Sequence, residues 1–110
     1  MNRRTRIVFP VFNGYEVRVV QAHSVQATGK SLHVDLSDAQ AALVTDPAHP
    51  SVSWLVLGPK ADEADVAHEA SHAIRAMFKT IGVQHAANEV FAYHLDYLVG
   101  HIHKFLKRKR

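Results

Sequence analysis

An α+β domain, with a small, mostly antiparallel sheet followed by two helices, is predicted by three features of the sequence. Apolar residues alternate with polar ones through much of the first half, Asn13-Gly14 supplies hairpin chemistry between two such runs, and the period lengthens to that of a helix beyond Pro59. The chain has 110 residues, 47% of them hydrophobic and 21% charged. These values suit one domain, residues 1–110, that folds in water around a single modest core.

The elements follow in order. From Arg6 to Gln21 the chain is rich in Val, Ile, Phe and Tyr, and Asn13-Gly14 divides it, because these residues readily adopt the positive φ of a tight turn. After the turn, Tyr15, Val17 and Val19 alternate with Glu16 and Arg18, the pattern of a strand with one buried face. Leu32 to Leu36 (LHVDL) alternates as well, and Ser51 to Gly58 (SVSWLVLG) is an apolar strand bounded by Pro50 and Pro59. Between these two, Ser37-Asp38 is expected to cap a short helix over AQAALV, stopped by Asp46-Pro47.

Asp62 caps the next helix, and the acids Glu63 and Asp65 suit its positive end. The periodicity carries it to about Thr80, with Gly82 as the stop. Val66, Ala70, Ala73, Ile74, Met77 and Ile81 share one face, while His68, His72, Arg75 and Lys79 lie opposite. A final helix is expected from about Ala86 to Leu106, with Phe91, Leu95, Leu98, Val99, Ile102 and Leu106 as its apolar stripe.

The chain has nine histidines and no cysteine, so disulfides and thiolate metal sites are excluded and any metal must be held by histidine and carboxylate. VAHEASHAI, Val66 to Ile74, contains HExxH. Histidines four apart project from one side of a helix and can direct two imidazoles at one zinc ion, while Glu69, one step round, is placed to exchange protons with a water there. The spacing therefore suits His68 and His72 as metal ligands and Glu69 as general base and acid.

A catalytic zinc takes a third protein ligand. The metzincin continuation needs glycine at 75 and histidine at 78, but Arg75 and Phe78 stand there, so that class is excluded. Seventeen residues after His72, NEVFAYHLDYLVG puts Glu89 in the first turn of the last helix, and antiparallel helix packing would return it towards the histidines. His85 is a rival ligand, Asp96 a candidate to orient a histidine ring, and Tyr93 a candidate donor to an oxyanion.

Together, VAHEASHAI and NEVFAYHLDYLVG resemble the gluzincin metallopeptidases, and most closely their very short members, the minigluzincins and the small HExxH proteins of phage and prophage genomes. The resemblance covers roughly residues 52 to 100. It implies Zn2+ held by His68, His72 and Glu89, Glu69 as the catalytic carboxylate, and a peptide or protein substrate lying along the strand near Ser53 to Leu57. Many gluzincins carry an acid four residues after the glutamate ligand; here Tyr93 occupies that position.

Two other readings belong beside this one. The formal net charge of +3 owes much to KFLKRKR, and this basic tail, residues 104–110, could join Arg3, Arg4 and Arg6 in binding nucleic acid or an acidic virion partner. Alternatively, a fourth ligand would close the zinc site and make it structural. The basic opening is broken by Pro10 and Asn13 and is read as mature structure rather than a signal peptide, and no apolar run is long enough for a bilayer. A cytoplasmic protein without membrane contact is expected.

Overall fold

The computed structural model describes residues 2–9, 14–32, 34, 36, 40–82 and 88–108, with the backbone alone at 88 and 89. Strands β1 (Arg3–Phe9), β2 (Tyr15–Gln21), β3 (Ala41–Thr45) and β4 (Val52–Leu57) form one mixed sheet in the order β1-β2-β4-β3. Helix α1 (Val25–Ser31) lies between β2 and β3, and α2 (Glu63–Ile81) and α3 (Asn88–Lys107) follow the sheet. The α+β architecture matches the sequence reading. β1–β2 and β3–β4 are antiparallel, whereas the central pair β2–β4 is parallel.

The expected hairpin joins β1 and β2: Gly14 adopts φ 75° and its N–H donates to Phe9 O at 3.2 Å, while Asn13 lies outside the described residues. Alternation then sorts the side chains. Ile7, Phe9, Tyr15, Val17, Val19, Leu55 and Leu57 enter one core together with the apolar faces of α2 and α3. Val20, Ala22, Val25 and Val56 form a smaller cluster on the other face, beneath α1. The molecule thus has three layers, α1, sheet, and the α2–α3 pair.

Two sequence expectations are corrected. The stretch expected as a helix over AQAALV contains β3, because Leu43, Val44 and Thr45 gain a ladder beside β4 that outweighs the helical preference of their alanines. Among the described residues of the run expected as a strand, Leu32 closes α1 and the Val34 N–H donates to Gly29 O at 2.9 Å; His33 and Asp35 lie outside the described residues. Helix α1 was not anticipated. Ser24 caps it, its hydroxyl accepting from the Ala27 N–H at 3.1 Å, and Gly29 is required within it because a Cβ there would stand 2.8 Å from Leu36 Cγ.

Helix α2 agrees closely with expectation. Asp62 and Asp65 form a reciprocal capping box with bonds of 2.9 and 3.0 Å, and Gly82 ends the helix at φ 84°. Val66, Ala70, Ala73, Ile74 and Met77 are buried, and Ile81 packs at the core margin. In α3, Leu98 and Ile102 are buried as expected; Ala86 and Ala87 lie outside the described residues. The helix runs through Lys107 with Phe105 buried, so the basic segment begins as structured helix rather than as a tail.

One polar pair sits within the core: the hydroxyls of Tyr15 and Ser53 are hydrogen-bonded to each other, and burial raises the Tyr15 pKa above its ordinary value. An unfolded tyrosine ionises near pH 10, before the folded one, so this contribution to stability is complete below that pH and is lost as pH rises through the folded value. Tyr15→Phe should cost about 1–3 kcal/mol in urea unfolding at neutral pH by leaving Ser53 unpartnered, and should reduce the alkaline loss of stability. Gly58→Ala should cost about 1–3 kcal/mol, because its Cβ would meet Val25 Cγ2 at 2.7 Å and Gln40 O at 2.9 Å.

Candidate metal centre

The apolar face of α2 fixes the helix's rotation, which leaves HExxH at the rim of the helix rather than beneath it. The Nε2 atoms of His68 and His72 stand 3.2 Å apart, with ring centroids at 4.7 Å and planes 83° apart. Two nitrogens held about 2.0–2.1 Å from one tetrahedral zinc stand about 3.3–3.4 Å apart, so the pair needs little adjustment to share an ion. Without metal, one nitrogen donates its proton to the lone pair of the other.

Glu69 is set differently from its neighbours. Its side chain is 13% exposed against 68% for His68, and Oε2 lies 3.9 Å from His68 Nε2. That separation is too long for a direct hydrogen bond and suits a contact bridged by water. Glu69, His72 and Ala76 form one wall of a hollow of about 520 Å³, and Ala41, Ala42, Leu43 and Thr45 of β3 form the other. The carboxylate therefore faces a cleft between α2 and the sheet.

This relocates the expected substrate edge. Ser53 to Leu57 belong to β4, which is hydrogen-bonded to β2 on one side and β3 on the other, so that strand has no free edge. The edge facing HExxH belongs to β3. Sequence reasoning missed these residues because the helical preference of Ala41 and Ala42 masked the signal in Leu43-Val44-Thr45, a short run of strand-favouring residues before Asp46-Pro47.

Helix α3 begins beside the C-terminal half of α2. The Phe91 ring lies 6.0 Å from that of Phe78, and the Arg75 guanidinium lies 5.6 Å from the Phe91 centroid. Position 91 therefore packs about one to two turns beyond His72. Glu89 lies in the first turn of α3, and its side chain is outside the described residues, as is His85. Among the described residues, no group of three or more His, Asp or Glu is arranged to hold a metal. Of the candidate ligands, His68 and His72 are those whose side chains are described.

The other candidates are exposed. Tyr93 is 68% exposed, Asp96 is also exposed, and His72 bonds to His68 rather than to Asp96. Of the N-terminal arginines, Arg3 serves the fold: it donates to Phe105 O near the end of α3 at 2.6 Å and to Gln21 at 2.9 Å, and lies over the Phe105 ring. No helix among the described residues is long and apolar enough to cross a membrane.

Zinc titration followed by NMR should shift the imidazole signals of His68 and His72 together, saturating at about one equivalent, and His72→Ala should remove that joint response. Comparison of the chain with protein-family models, with curated proteins and with solved structures returns no match.

Proposed function

We propose that the protein is a small zinc-dependent metallopeptidase of the gluzincin type, acting on peptide or protein substrates. The observation that carries this reading is the meeting of His68 and His72 at 3.2 Å beside a Glu69 carboxylate that faces an open cleft. His68, His72 and Glu89 would hold the ion. The packing of Phe91 against Arg75 and Phe78 supports this set, because it sets the first turns of α3 against α2 in the turns that follow His72.

When bound, zinc would polarise the scissile carbonyl and acidify the attacking water. Glu69 takes that water's proton on a carboxylate oxygen and returns it to the leaving amine. The outer edge of β3 binds the substrate as an added extended strand through its backbone groups, and the apolar surface of Ala41, Leu43 and Ala76 receives an aliphatic side chain near the cleaved bond. The cleft, bounded by one strand and one helix, orients the substrate along α2.

Two substitutions test the assignment. Glu69→Gln should lower peptide hydrolysis by about 100-fold or more while leaving stoichiometric zinc in place. Glu89→Ala should weaken zinc binding by more than the roughly 10–100-fold that loss of a supporting contact costs. Hydrolysis unchanged in Glu69→Gln would overturn the mechanism, and bound zinc with no hydrolysis by the wild-type protein would favour a structural site.

A further inference from the structure

The sheet face turned away from α2 and α3 carries chemistry that peptide hydrolysis does not use. Strand register sets Arg6 opposite Arg18 and Arg18 opposite Trp54, so the three form a row across β1, β2 and β4, with Arg4 two residues along β1 on the same face. Arginines as direct cross-strand neighbours repel each other. Glu16 offsets this by accepting from Arg6 at 3.3 Å and from Arg18 at 2.8 Å. Three cations and one anion leave this patch at +2. The Arg18 guanidinium also lies 4.8 Å from the Trp54 ring centroid.

Helix α1 covers only one end of this face, where Val25 and Leu32 join Val20 and Val56, with Trp54 at the border. Past that border, among the described residues, the face opens on both sides of Arg18 and Trp54. One hollow, of about 450 Å³, reaches Ser31, Val44 and His49; the other, of about 300 Å³, reaches Arg4 and Arg6. Volumes of this order admit a planar group the size of a nucleobase.

We propose that this face binds single-stranded nucleic acid, with a base stacked at Trp54 and backbone phosphates held by Arg4, Arg6 and Arg18. The planar guanidinium fork matches phosphate oxygens, and an indole face stacks any base with little regard to sequence. A duplex keeps its base faces inside and is excluded from the stacking step. The polarity of the face orients the strand. Asp46, at the far rim, is held ionised by the Ala48 N–H and then by His49, so it repels phosphate from the β3–β4 turn. Phosphates therefore lie over β1 and β2, and the base lies towards β4. This site is on the opposite side of the sheet from His68 and His72 and is independent of the zinc reading.

Trp54 is the only tryptophan, so its fluorescence reports on this face directly. An oligothymidylate of about 10 nucleotides should quench it, with affinity falling roughly 7- to 20-fold between about 50 and 200 mM salt, as expected for two to three phosphates. Arg6→Gln, on an exposed edge-strand side chain, and Arg18→Gln should each weaken binding and reduce the salt slope by about 0.7–1. Four results would overturn the proposal: no binding; equal affinity for duplex; binding that leaves Trp54 unquenched and responds only to substitution of Lys104, Lys107 and Arg108; or quenching by free thymidine monophosphate with the affinity of the oligonucleotide.

Discussion

The candidate metal centre depends on the way α2 buries Val66, Ala70, Ala73, Ile74 and Met77 in the core. Ala70 and Ala73 are completely buried and small, which lets the helix backbone approach the strands closely. Once that face is seated, the helical period fixes every other side chain. Glu69 falls at the margin between buried and exposed, turned towards β3, and the two histidines fall just outside it. The geometry around HExxH is therefore set by apolar packing, with the polar groups following.

The sheet divides the molecule's chemistry. Its central strands, β2 and β4, are covered on the inner face by α2 and α3 and partly on the outer face by α1. That double burial explains the apolar run Leu55-Val56-Leu57, where alternation disappears. Polar side chains are displaced to the uncovered parts of the structure: the rim of α2, the open end of the outer face, and the exposed side of α3. One face offers imidazole and carboxylate beside a strand edge, and the other offers guanidinium and indole across strands.

Much of this was legible in the sequence where one signal acted alone. The α2 boundaries could be read because Asp62, Asp65 and Gly82 are caps with local chemistry, and the buried face followed from spacing. The hairpin followed from Asn13-Gly14 in the same way. β3 and α1 were less legible because their signals conflict. Ala41 and Ala42 favour helix and belong to a strand, while Gly29 disfavours helix and lies in one, where the approach of Leu36 requires it. In both cases tertiary contact overrides local preference. The HExxH spacing identified His68, Glu69 and His72, but only the strand order revealed that β3, and not β4, bounds their cleft.

The parallel β2–β4 pairing has a kinetic consequence. Gln21 and Val52 bracket the whole segment containing α1 and β3, and the sheet's two middle strands join only after that length of chain has been looped back. Closing such a loop costs entropy before any ladder bond repays it, so folding should be limited by this encounter rather than by formation of the local β1–β2 hairpin. Shortening or stiffening the connection would then act mainly on the rate of folding, and the hairpin would persist as the earliest ordered piece of the chain.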